Sequence, residues 1–392
     1  MKSANYILAI ILSAVMAGCG KVKHSTEDLI TVDVTKSYPK KELILQDFLD
    51  VEYIPLDDTN DDLLTNGIVS DIGKEVILVR NMGMTGDILV FDRNGTGLRK
   101  INRKGQGAQE YASFVRAILD ETNNEMYVYG GNTIVIYDLF GTFKQKFVFD
   151  GMFFTMVANF DSDHFICNES IEFENEKFNR FWVISKRDGS VKKEIQIPYK
   201  EKKRRTIVDK NASPSGFADG PRNQELIPNR FSWILTEISS DTIYQLTSDY
   251  RMIPLIVRTP SVQSMIPEVF LFPSVLTDSY YFMQTAEKTA IRTETGNIYP
   301  RRNLVYDIKK KAIFEYIVYN DDFSSNRPVS LAFESSYSMP FISNEIAFVY
   351  KLESYELVEA YGKGQLKGKL KEIAAKLNEE SNPVILVAKH KK

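Results

Sequence analysis

The chain has 392 residues, of which 43% are apolar and 12% aromatic, with a formal net charge of −3. That apolar mass is enough to bury a large core, and with only two cysteines the fold cannot rest on a disulfide framework. The nearly balanced charge supplies no field for a phosphate backbone, so nucleic acid is excluded as a partner class.

The first element is an export signal. Lys2 gives a positive start, and Tyr6 to Ala17 form an apolar run. Spanning a bilayer takes about 20 apolar residues, so this run suits a cleaved secretory signal instead. Met16-Ala17-Gly18-Cys19 resembles the bacterial lipobox, with methionine where leucine is commoner. The resemblance implies a signal peptide over 1–18, cleavage before Cys19, and acyl chains on Cys19 that hold the protein to the membrane. Residues 19–28 read as a polar tether. The expected location is the cell envelope, most naturally the outer membrane, with the periplasmic and surface faces both open. Once Cys19 is lipidated, Cys167 has no partner left for an intramolecular disulfide.

From residue 29 to 392 the chain reads as one β-rich domain. LITVDV and VEYIPLD are the first two strands. A repeat then begins: DILVFDRNGTGLR at 87–99 returns as TIVIYDLFGTFKQ at 133–145, with Asp92 to Asp138 and Gly95 to Gly141 both 46 residues apart. Each copy is a β-branched and aromatic strand followed by Asp-x-x-Gly, a tight turn whose glycine supplies positive φ. AILDETNNEMYVYGG, between the copies, is a second hairpin turning at Asp120 to Asn124. One period therefore holds four short strands, the size of a propeller blade, which cannot bury both of its faces alone. FWVISKRDGSVKKEI continues the series with Ser185 in place of the aspartate. DTIYQLTSDYRMIPL, NLVYDIKKKAIFEYI and AFVYKLESYELVEA are looser copies, which brings the count to six.

Two insertions widen the spacing. Lys200 to Glu225 is charged and rich in Gly, Pro and Ser, and reads as a solvated rim loop. The second lies between Pro260 and Arg302. In GQLKGKLKEIAAKLNEES, near 364–381, Leu366, Leu370, Ile373 and Leu377 fall at helical spacing. The expected fold is an all-β, six-bladed propeller of four-stranded antiparallel blades. Its one C-terminal helix crosses outside the ring, and strands from both termini close it, because open sheet edges are a liability.

DVEYIPLD, ILVFDRNG, KGQGAQEY, IVIYDLFGTF, SDTIYQLTSD and NEESNPVILVAK together resemble a family of six-bladed, NHL-like propeller lipoproteins of Bacteroides-type bacteria. The likeness runs over about residues 29 to 390. The family's glycine stretch usually reads Gly-x-Gly-Pro-x-Glu-Tyr; here Ala108 stands at the proline. The resemblance implies a fold far more than a chemistry.

KGQGAQEY also invites a phosphate-loop reading. A phosphate loop needs a helix after its glycines, whereas this one runs into strands, and Lys104 precedes the glycines. It reads as a crossover between blades. Arg103, Lys104, Glu110 and Tyr111 are the candidate ligand-binding residues, because the crossover carries them toward a channel rim. No catalytic or metal-ligating set is assigned and no cofactor is expected. His24, His164 and His390 are too scattered to converge on a metal, and FDSDHFICN marks no nucleophile elbow. Asp161, Asp163 and His164 read as a polar turn, and Asp57-Asp58 and Asp61-Asp62 as solvated loop carboxylates. Most aromatics suit inter-blade packing, with Trp182 and Trp233 the two to check at the channel mouth. The Lys202-Lys203-Arg204-Arg205 cluster reads as a solvated face. The functional expectation is a lipid-anchored binding module for a glycan or protein ligand at the channel mouth. The alternatives are a lyase or glycan hydrolase using channel carboxylates, or a structural partner of an outer-membrane uptake complex.

Overall fold

The computed structural model describes residues 29–81, 85–173, 176–209, 217–293, 296–334 and 345–391. The signal peptide, Cys19 and the tether lie outside them. Among the described residues no helix is long and apolar enough to cross a membrane.

The strands form six blades around a channel. Blade 1 runs from Ile68 to Asn102, blade 2 from Arg116 to Val148 and blade 3 from Phe154 to Ile195, each as four antiparallel strands. Blade 4 (Leu226 to Thr259) and blade 5 (Val269 to Tyr319) keep that plan and add a fifth, outermost strand from the N-terminus. Ile30–Asp33 pairs in parallel with Met252–Thr259, and Lys40–Ile44 with Ala312–Tyr319. LITVDV thus covers the open edge of blade 4 instead of joining the closing blade. Edge protection is the physical gain.

Blade 6 closes the ring from both ends of the chain. Its described strands are Ile346–Leu352, Val384–His390 and Leu49–Pro55, in that order. The hairpin copies map onto the third and fourth strands of blades 1 to 5, but the copy read in AFVYKLESYELVEA does not. There Ile346–Leu352 leads into the helix Ser354–Gly362. The pair matching the hairpin in blade 6 is Val384–His390 beside Leu49–Pro55, which the chain termini separate. The helix expected near 364–381 is shorter, Gly368–Ala374, and a helix the sequence reading did not expect, Ser354–Gly362, precedes it; Gly364 at φ 68 and Gly368 at φ 53 stand between the two. Leu366, Leu370 and Ile373 are buried as the apolar stripe requires.

The core is a set of layers between neighbouring blades. Tyr111, Val128 and Tyr137 fill the joint between blades 1 and 2. Tyr127, Phe165 and Trp182 fill the next, where Tyr127 and Phe165 meet edge to face at 4.7 Å. Trp182 and Trp233 are 7% and 4% exposed, so both belong to these layers and not to a rim. In blades 1 to 3 the turn before the outer strand carries a glycine with positive φ that abuts the preceding blade. Gly95 (φ 88) meets the Pro55 carbonyl, Gly141 (φ 85) meets Ile101, and Gly189 (φ 70) meets Phe147. An added Cβ at Gly95 would sit 1.9 Å from the Pro55 oxygen.

The Lys200 to Glu225 insertion is packed down. It contains the short hairpin Ile207–Asp209 with Phe217–Asp219. Lys202 pairs with the buried Glu237 at 2.9 Å, and Arg205 pairs with the buried Glu225. The basic cluster therefore answers buried carboxylates and is not a solvated face.

Candidate functional site

The expected site residues sit where blade 1 crosses to blade 2. The Tyr111 ring is 1% exposed; its hydroxyl donates to Gly86 O at 2.5 Å and accepts from the Arg103 amide at 3.0 Å. Arg103 Nε donates to Gly141 O at 2.9 Å, joining the crossover to the next blade's turn. The Glu110 carboxylate folds back to accept from Gly107 N at 2.7 Å, and a Cβ on Gly105 would meet it at 2.0 Å. The glycines make room for that carboxylate. Lys104 is exposed and bridges in parallel to Tyr111 through the backbone. None of the four lines the cavities described next.

The turns joining first to second strands and third to fourth strands share one face of the ring. On this turn face, blades 1, 2, 3 and 6 surround a cavity of about 730 Å³, within the range of ligand sites. Its wall is a network across blade joints. The Asp71 carboxylate accepts from Leu119 N at 2.8 Å and from Ile72 N at 2.9 Å. Asn159 Nδ2 donates to Leu119 O at 2.7 Å, so one residue of blade 2 is held from both sides. Glu121 accepts from Lys74 N at 2.7 Å and Glu75 N at 2.9 Å, tying the turn of blade 2 to that of blade 1.

Charge is handled differently at two points of this wall. Asp71 is 4% exposed, and burial pushes its carboxyl up to about 6 against the pull of Arg116 and the amide donors. Burial would raise Asp120 as well, but Lys186 outweighs it and holds the carboxyl below its usual value. Lys186 Nζ lies 3.0 Å from Asp120, both side chains 8% exposed, and 5.3 Å from the Tyr127 ring centroid. Tyr127 donates to Asp120 as well, at 3.0 Å. Two groups of this wall are left open among the described residues: Asn159 Oδ1, an acceptor, and Arg93 Nη1, a donor, are buried without a hydrogen-bond partner.

Sequence reasoning missed this wall because Asp71, Asp120, Asn159 and Lys186 come from three blades and carry no local motif. His390 was also set aside as a terminal residue. It is half-buried at the end of its strand, and burial together with Arg230 lowers its pKa. Asp161 accepts from the amides of Asp163 and His164 and from His164 Nδ1 at 2.9 Å, the arrangement of a polar turn. Asp62 pairs with Lys100 at 2.5 Å. Among the described residues no cluster of His, Cys, Asp and Glu has the makeup of a metal site.

The fold has solved counterparts. An exported protein from Bacteroides fragilis superposes with a TM-score of 0.56 at 15% identity, over 93% of this chain and 100% of that one. A DUF4221 family member from Bacteroides vulgatus gives 0.47 at 13% identity, over 87% and 96%. No curated protein matches the chain. The sequence matches one family profile over residues 29–389, from just before the strand Ile30–Asp33 into the strand Val384–His390, and the chain is a member of that family, the domain of unknown function DUF4934.

Proposed function

We propose that the protein is an exported, lipid-anchored propeller that binds a small polar ligand, a glycan or peptide, on its turn face. The observation carrying this reading is the open Asn159 Oδ1 in the wall of the 730 Å³ cavity. A buried acceptor without a donor is costly unless something supplies one. Export is supported by the signal-like N-terminus and by the likeness to a Bacteroides fragilis protein described as exported. In this reading Arg103, Lys104, Glu110 and Tyr111 hold a blade joint.

A glycan and peptide array on the chain from Gly20 onward tests the binding. Retention of a probe that Asn159→Ala removes supports the cavity, and retention untouched by that change overturns it. Acyl labelling of the native protein, lost in Cys19→Ala, tests the anchor; an unlipidated, freely released native protein ends that reading.

A second reading rests on Asp71. A carboxyl titrating near 6 beside a cavity has the poise of a general acid or base. Binding is favoured because backbone amides already occupy both Asp71 oxygens. Turnover of an array hit with a pH limb near 6, abolished in Asp71→Asn, would reverse that preference.

A further inference from the structure

A second cavity, of about 790 Å³, opens on the turn face over blades 4 and 5, away from the wall built by Asp71 and Asn159. It is bordered by the two-residue turn Arg230-Phe231, which joins Leu226–Asn229 to Ser232–Leu235. Arg230 has φ 47, the left-handed conformation that such turns ordinarily give to Gly or Asn. The strained turn puts Phe231 at its tip, 78% exposed and the most exposed aromatic among the described residues. Strain of this kind in an otherwise regular blade points toward function.

Blade 3 offers an internal control. Phe160 lies in its corresponding turn, and the Tyr250 ring covers it, stacked at 5.4 Å and 9°. Phe231 has no ring partner among the described residues. Its apolar face is open, and the surroundings are polar. The four charged groups of the cleft cancel: Arg230 pairs with Asp278 at 2.7 Å and Arg251 with Asp249 at 2.6 Å. Gln245 spends its amide N–H on Ser232 Oγ at 2.8 Å and keeps its carbonyl oxygen, while the Asn229 side chain has no partner among the described residues.

We propose that this cleft is a binding site for a neutral carbohydrate. Phe231 stacks on the C–H face of a sugar ring, and Asn229, Gln245 and the second Asp278 oxygen meet its hydroxyls. Cancelled charge gives no purchase to a phosphate or an acidic peptide. The described lining is mostly polar, which does not suit a lipid tail. A peptide would bring backbone N–H and C=O groups that need pairing, and the strands that carry Ser232 and Gln245 already have both edges paired within blade 4. A pyranose requires what the cleft has, one flat apolar face ringed by groups that both donate and accept.

The test uses the full chain in a zwitterionic detergent, titrated calorimetrically with maltohexaose, cellohexaose and mannohexaose, and with a neutral tryptophan-containing peptide. At least one hexasaccharide should bind. Phe231→Ala should weaken it tenfold or more with an unchanged melting curve, Phe231→Trp should hold or tighten it, and Asp278→Asn should weaken it a few-fold. Absence of saccharide binding at millimolar concentration overturns the proposal. So does binding that survives Phe231→Ala, or Phe231-dependent binding of the peptide alone.

Discussion

Blades 1 to 3 and blades 4 and 5 solve the same turn differently. Before the outer strand, the first three use Gly95, Gly141 and Gly189, with φ of 88, 85 and 70. Blades 4 and 5 place Tyr250 and Lys311 in the matching turns, at φ 62 and 50. Both groups therefore need a left-handed residue there. In the first group the residue lies so close to the preceding outer strand that a Cβ would collide. In blade 4 the side chain is put to use, since Tyr250 reaches back to cover Phe160. Positive φ is a requirement of the hairpin, and glycine is a requirement of the joint.

The largest expected effect comes from charge buried in a joint of the regular half. Lys186→Met removes the cation facing Asp120 and leaves a buried carboxylate unpaired, a change that costs about 3–5 kcal/mol. Urea unfolding measures it, and a loss below about 1 kcal/mol would show that solvent reaches the pair. Next in size is Gly95→Ala, which combines a left-handed alanine with a collision against the Pro55 carbonyl, together about 2–4 kcal/mol. Gly151 is the control: it has φ 75 but nothing within 4 Å of an added Cβ. Gly151→Ala should lose only the conformational part, about 1–2 kcal/mol. Equal losses at the two sites would mean that conformation, and not the joint, selects glycine.

The sequence carried the ring because a blade repeats its hydrogen-bonding plan at short range. Asp92 and Asp138 each accept from residues two and four further on, which is why Asp-x-x-Gly was visible as a period. Ser185 keeps the turn of blade 3 by backbone bonding, its amide donating to Ser190 O at 2.9 Å, so losing the aspartate did not hide that copy. The sixth copy was misplaced because any blade strand reads as β-branched and aromatic. Nothing in AFVYKLE distinguishes one position in the blade from the next. KGQGAQEY was legible as a crossover from the strands flanking it, but the fold of Glu110 over its glycines was not. Neither cavity wall was legible. Asn159 meets Leu119 and Lys186 meets Asp120 only after blades 2 and 3 have stacked, and no local motif marks Phe231.

The smallest predicted effect tests the comparison most finely, because it changes sign between two turns of the same shape. Lys311 is exposed at φ 50. Lys311→Gly relieves about 1–2 kcal/mol of left-handed strain and adds about 0.5–1 kcal/mol of unfolded-state entropy cost, so stability should rise by a few tenths to about 1 kcal/mol. Tyr250→Gly gains the same relief but uncovers Phe160, forfeiting about 0.5–1.5 kcal/mol of ring contact plus the buried area beneath it. Its stability should fall. Paired urea titrations of the two variants read the difference directly. If both rise, Tyr250 does not hold Phe160, and the contrast between a covered and an open turn aromatic, on which Phe231 stands apart, is lost.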